Sequence, residues 1–389
     1  MKLFVALTAS LLAASALGAP YLPKDDAEVL ERLPLRRADP AAAELRRLRE
    51  AAAARPDDPA AAAALARRYF ELAMAEGDPR YVGYAAAALE PWRSARDAPA
   101  ELIAVRGMLR QYRHDFAGAL EDFALAARAD PESVSPRAWR AAIYMVQANY
   151  AAARAECEAL EPIASELLAT GCSAYVDAAT GNTRAAYRRL GEALAGRPDA
   201  LPQSRLWVLT RLAEMAWRLE EHAAAERHFR DALALGVTDN FLLFTYADFL
   251  LERGRAQEVV VLLKDWTRSD TLLLRLALAE KALGLPQAQQ HARALGERFA
   301  AAALRGEKLH LQEEARYLLY LRGDAAGALA AARENWNKQR EPRDAAVLLE
   351  AALAARDPGA AVPALAWLEA SGFESEPLAR LAAQLKALR

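Results

Sequence analysis

The chain has 389 residues, a formal net charge of -2 and a sequence pI near 6.3, a length beyond what one compact core serves. With 54% hydrophobic and 26% charged residues it is not a disordered chain. Proteins that neutralise phosphates lean basic, whereas charges of both signs are interspersed here, as on a solvated helical surface; nucleic acid is not an expected partner. Much of the apolar fraction is Ala and aromatics reach only 7%, which predicts helix almost throughout and no sheet.

At the N-terminus, Lys2 precedes an apolar or small-residue run over 3–17, closed by Gly18 and Ala19. That is the pattern of a secretory signal peptide over 1–18, with cleavage after Gly18 or, alternatively, after Ala16. The run is shorter than the roughly 20 apolar residues a bilayer span needs. No Cys lies beside the cleavage site to carry a lipid. The expectation is a periplasmic or secreted protein with no membrane span after signal removal. Residues 19–58 then read as a charged, Pro-punctuated leader followed by a capping helix over 40–54.

Residues 59–375 carry a repeat. Its clearest unit covers 100–131: Gly107 in a first helix, a turn at His114 and Asp115, Phe116 opening a second helix, then Ala119, Phe123 and Ala126 on one face and a stop at Asp130-Pro131. Tyr150 follows Phe116 by 34 positions, with Ala153 and Cys157 in the places of Ala119 and Phe123. Thr183 follows 33 later, after Gly181-Asn182. Further turns fall at Glu221-His222, Arg253-Gly254-Arg255, Gly284-Leu285-Pro286, Gly323-Asp324 and Asp357-Pro358, with an earlier one near Gly77-Asp78-Pro79. These residues supply positive φ or stop a helix. A stripe such as Leu206, Leu209, Leu212 and Ala213 needs a neighbour to cover it, so about nine hairpins must stack. Residues 376–389, with Leu378, Leu381, Leu385 and Leu388, read as a terminal capping helix.

The small and large residues at these positions resemble the tetratricopeptide (TPR) repeat family. The resemblance implies an all-α fold, an α-solenoid of helical hairpins piled into a curved rod, and a role in binding proteins or peptides. It further implies that first helices line a concave face. Carrying the register across gives Met108, Gln111, Tyr175, Trp207, Trp217, Phe241, Phe244, Asp248, Tyr317 and Tyr320, with Trp139, Arg211 and Arg218 flanking, as candidate partner-binding residues. Aromatic and Arg side chains are common binding anchors. The bland alternative is that they pack between hairpins.

Chemistry is harder to find. The sequence holds no glycine-rich phosphate loop, G-x-S-x-G elbow or H-E-x-x-H motif, so no catalytic residue, metal site or cofactor is assigned. His222 and Glu226 share a helix face, but His228 points elsewhere. Glu214, Asp248 and Glu313 are the carboxylates an enzyme would use, and they are expected to lie far apart along the solenoid. Cys157 and Cys172, in adjacent hairpins, suit a disulfide in an oxidising compartment, with buried thiols or a redox pair as alternatives. The expected function is a non-catalytic exported scaffold or adaptor holding a protein or peptide of the cell envelope. The alternative is a glycan- or peptidoglycan-associated accessory of an envelope enzyme or export machine.

Overall fold

The computed structural model describes residues 40–388. The chain divides into two compact units, Met1–Glu44 and Leu45–Arg389. The signal peptide expected over 1–18 and the leader expected after it lie outside the described residues.

After α1 (Pro40–Ala54), the helices alternate as first and second members of hairpins. The first four pairs are α2 (Pro59–Glu76) with α3 (Arg80–Ala88), α4 (Ala100–Tyr112) with α5 (Phe116–Ala129), α6 (Val134–Val146) with α7 (Tyr150–Leu160), and α8 (Glu166–Ala179) with α9 (Thr183–Ala195). Then come α10 (Pro202–Arg218) with α11 (His222–Ala234), α12 (Asn240–Glu252) with α13 (Ala256–Leu263), and α14 (Asp270–Ala282) with α15 (Gln287–Leu304). The last two pair α16 (Leu311–Arg316), extended by a π-helical turn Tyr317–Arg322, with α17 (Ala325–Trp336), and α18 (Pro342–Ala354) with α19 (Val362–Ser371). Helix α20 (Glu376–Ala387) packs against α18. No strand occurs among the described residues. The second unit is an all-α solenoid of helical hairpins.

Each of the nine hairpin turns contains one residue in the left-handed region: Gly77, His114, Ala148, Gly181, Glu220, Gly254, Gly284, Gly323 and Arg356. The second helix then starts on a polar cap in several units. Asp115, Asn149 and Asp324 accept the amide hydrogens of Gly118, Ala152 and Gly327 at 3.1, 3.2 and 2.8 Å, satisfying donors the first helical turn leaves free. Two glycines set how closely helices approach, one within a hairpin and one between neighbouring hairpins. A Cβ on Gly107 would lie 2.9 Å from Phe123 Cε1, and one on Gly171 would run into the Trp207 ring. The repeat's small and large positions therefore face each other directly.

Cys157 on α7 and Cys172 on α8 form a disulfide with Cα atoms 5.5 Å apart. Closing a loop of 15 residues restricts the unfolded chain by roughly 3 kcal/mol. Reduction is accordingly expected to lower the denaturant midpoint of the purified protein. Equal midpoints for oxidised and reduced samples would show that the bond adds nothing.

The row of hairpins does not stay open, as a simple curved rod would. A Cβ on Gly77, in the first turn, would clash with Ser269 Oγ, and α2 touches α12; the first hairpin thus abuts the starts of α12 and α14. The C-terminal hairpins turn inward. Trp367 Nε1 donates to the Tyr150 hydroxyl at 3.0 Å, Arg340 N donates to Val146 O at 2.7 Å, and Glu374 Oε2 accepts from Thr183 N at 2.9 Å. One apolar cluster joins Met145, Cys157 and Val176 to Trp336, Leu348, Trp367 and Phe373. The face lined by α6, α8, α10 and α12 is covered by the chain's own last hairpins.

Among the described residues, no helix is long and apolar enough to cross a membrane.

Candidate functional site

Where α10, α12 and α14 meet α16, α18 and the start of α20, packing is incomplete and a cavity of about 560 Å³ remains. Helices α10 and α12 bring Glu214, Trp217, Arg218, Phe244 and Asp248 to its wall. The C-terminal hairpins bring Arg316, Tyr320, Glu341, Arg343, Glu350 and Phe373.

Its electrostatics rest on stacked cations. Asp248 is held by two guanidiniums, Arg275 through Nη2 at 2.8 Å and Arg316 through Nη2 at 2.9 Å. Burial alone would raise its pKa, but Arg275 and Arg316 outweigh burial and keep the carboxyl well below the usual range. Arg275, whose side chain is 0% exposed, also reaches Glu313 Oε1 at 3.4 Å. The Phe241 ring lies between the guanidiniums of Arg211 at 4.3 Å and Arg343 at 5.0 Å, and Phe244 lies beneath Arg275 at 4.8 Å. Such contacts are worth about 0.5–2 kcal/mol each, more when water is excluded. Arg211 pairs with Glu214, and Arg343 pairs with Glu341, both at 2.8 Å.

Arg218 differs. It stacks on Phe373 at 4.4 Å, and its one hydrogen bond, Nη2 to Thr183 Oγ1, is 3.5 Å long. No carboxylate lies within ion-pairing distance, and burial pulls its pKa below the ordinary Arg value. On the far wall, burial raises the pKa of Glu350, which lies beside Tyr320.

Eight of the thirteen residues read from the sequence gather here. Trp217, Arg218, Phe244, Asp248 and Tyr320 line the cavity, while Phe241, Arg211 and Tyr175 form the stack beside it, with Arg211 over Tyr175 at 4.7 Å. The other five do not line this cavity. Trp139 stacks on Phe123 at 6.3 Å and meets Phe70 edge-on at 5.8 Å. Trp207 fills the space over Gly171. Met108 is buried, with its sulfur 4.0 Å from an Arg67 nitrogen. Tyr317 is buried against Phe299 at 5.5 Å. Gln111 sits half-buried in the last turn of α4, away from the cavity. Register places all five on first helices, but for Met108, Trp139, Trp207 and Tyr317 packing against the preceding hairpin takes precedence over facing the groove.

The carboxylate expectation is also corrected. Asp248 and Glu313 are not far apart: both reach Arg275, and Glu214 lines the same cavity. Asp248 serves as the counter-ion of two guanidiniums, and a carboxyl held ionised has no proton to give.

A larger cleft of about 930 Å³ lies between the first hairpin turn and the end of α15. Of its cations, Arg80, Arg298, Arg305 and Lys308 are already paired, with Asp78, Asp270, Glu307 and Glu334, while Arg268 lines the cleft without a carboxylate in ion-pairing distance. Near α11, Arg255 and Arg230 occupy the Glu226 carboxylate, and His228 Nε2 lies 2.9 Å from the Tyr187 hydroxyl. Among the described residues, no group of three His, Cys, Asp or Glu is arranged to hold a metal ion.

No family model matches the chain, and no curated protein matches it. Among solved structures, it is similar to the APC/C hetero-tetramer Cut9–Hcn1, with 13% identity, 89% of this chain and 52% of that chain covered, and a TM-score of 0.42. It is also similar to yeast Tom70, with 11% identity, 90% and 92% covered, and a TM-score of 0.31. The P58(IPK) TPR domain follows at 14% identity, 81% and 94% covered, and a TM-score of 0.21. The chain spans about half the length of the first of these, at 52%.

Proposed function

We propose that the chain is a non-catalytic binding protein of the cell envelope. Its partner, a protein or peptide segment, enters the cavity between α10, α12 and the C-terminal hairpins. One observation carries the reading. Aromatic and Arg side chains from separate hairpins converge on a single space that the fold leaves unfilled, with one guanidinium lacking a counter-ion. Ligand sites are concave, mostly apolar and equipped with a few placed polar groups, and this cavity has that make-up.

Export to the periplasm or outside the cell is part of the same proposal. Two features support it: the signal-peptide pattern over 1–18 and the Cys157–Cys172 bond, since disulfides persist in oxidising compartments.

Affinity capture from envelope extract tests the reading. The Trp217→Ala, Phe244→Ala double variant should keep its helical circular dichroism and recover the partner at least tenfold less than wild type. Undiminished recovery by a folded variant would place binding elsewhere. Recovery of glycan rather than protein would turn the assignment toward a peptidoglycan accessory.

A further inference from the structure

We propose that the cavity takes a short free peptide held at both ends, its anionic end on Arg218 and its cationic end on Glu350 and Glu252; this rests on the cavity being the binding site. Four other guanidiniums stand in or behind the wall, and each has a carboxylate: Arg211 has Glu214, Arg275 and Arg316 share Asp248, and Arg343 has Glu341. Arg218 alone has none. Its Nε finds no acceptor, and its face is covered by Phe373. A guanidinium withdrawn from bulk water without a counter-ion is costly, and a bound anion relieves that cost. Glu214 and Glu374 act on Arg218 only from beyond ion-pairing distance, so its positive charge is partly offset and one further negative charge completes it. A carboxylate fits that count, whereas a phosphate dianion would exceed it within a wall that also carries Glu214 and Glu341.

The opposite end has the reverse imbalance. Glu350 lies beside the Tyr320 hydroxyl, its pKa raised by burial and only partly offset by Arg316 beyond ion-pairing distance, so a bound cation would favour its ionised form; Glu252 is exposed at the same wall. Both glutamates line the cavity with Arg218. Arg218 ends α10 and Glu252 ends α12. Packed helices stand about 8–10 Å apart, a span of two to three extended residues at about 3.3–3.6 Å each. Between the ends the wall is apolar, with Trp217, Leu251, Leu278 and Val347 facing the space. The volume, about 560 Å³, lies within the roughly 300–1,000 Å³ of small-ligand sites. Opposite charges at the two ends and an apolar middle select a dipolar ligand of tripeptide to tetrapeptide length.

The test incubates the full chain with a pool of tripeptides and tetrapeptides bearing free termini, and with the same pool N-acetylated or C-amidated. Peptides co-eluting on gel filtration are identified by mass spectrometry and titrated by calorimetry. Free peptides should be retained, and blocking either terminus should weaken binding at least tenfold. Arg218→Gln should abolish sensitivity to amidation but keep sensitivity to acetylation, and Glu350→Gln should do the reverse. Blocked peptides binding as well as free ones, or either variant leaving both sensitivities intact, would overturn the proposal. So would retention of no peptide at all. If partner recovery still depends on Trp217 and Phe244 in that last case, the cavity stands as the binding site and only the dipolar ligand falls.

Discussion

Asp248→Ala is expected to cost roughly 3–5 kcal/mol of stability, the range for removing one partner from a buried ion pair. The reason is what remains. Arg275, with no exposed side-chain surface, and Arg316 would face each other with their shared carboxylate gone. Glu313, 3.4 Å from Arg275, is too distant to serve both. Asp248→Asn keeps the shape and removes the charge, so it should recover only part of the loss. The pair also predicts acid behaviour. The folded carboxyl titrates below its ordinary value near 4. Its stabilisation is therefore complete at neutral pH and fades as pH drops below that ordinary value toward the lower folded one. Denaturant melts between pH 7 and pH 3 should show a steeper acid loss in wild type than in Asp248→Asn. Parallel curves would mean that the carboxylate is not paired in solution.

Phe123→Ala should cost about 3–5 kcal/mol, as for other buried phenylalanines. Phe123 is 0% exposed, stacks on Trp139 and touches the backbone at Gly107. Gly107→Ala alone should also destabilise, because a Cβ there would stand 2.9 Å from the ring. The two changes should not add. Once the ring is gone the new methyl has room, so the double variant should be more stable than the sum predicts by about 0.5–3 kcal/mol, the usual coupling between contacting residues. Strict additivity in urea melts would deny that the repeat's small and large positions meet across the hairpin.

These two sites mark how far the sequence could be read. The Gly107–Phe123 contact is local to one hairpin, and its residue types declare it. The turns were legible for a similar reason, although four of the nine left-handed positions, His114, Ala148, Glu220 and Arg356, are not glycine. The sequence named the turn at His114 and placed two others one residue past Glu220 and Arg356, and it named none at Ala148. The groove residues were half legible. Their place on first helices was legible, but register cannot say whether a ring faces the concave side or the preceding hairpin. Trp139, Trp207 and Tyr317 took the second course.

The closing of the groove by Arg316, Arg343 and Phe373 was not legible at all, because it joins segments far apart in sequence. One signal was available. Helix α18 buries Asp344, Ala345, Val347, Leu348, Leu349, Ala351 and Ala352, too nearly all round for a helix with one face to solvent. A helix so apolar near the end of a solenoid asks what surrounds it. Here the answer is the concave face, and for the same reason Asp248 and Glu313 meet on Arg275 when linear spacing holds them apart.

The most direct measurement of that closure is a cross-link. Gly181 and Gly372 touch: a Cβ on Gly372 would lie 3.9 Å from Gly181 Cα, and one on Gly181 would lie 4.0 Å from Gly372 Cα, so cysteines at the two positions are close neighbours. The double variant Gly181→Cys, Gly372→Cys bears both side chains at positive φ, at a cost of about 1–2 kcal/mol each. Mild oxidation should join the two positions within one molecule and shift its mobility on a non-reducing gel. A folded, helical variant whose two new thiols stay free would contradict the account, because its groove would stand open.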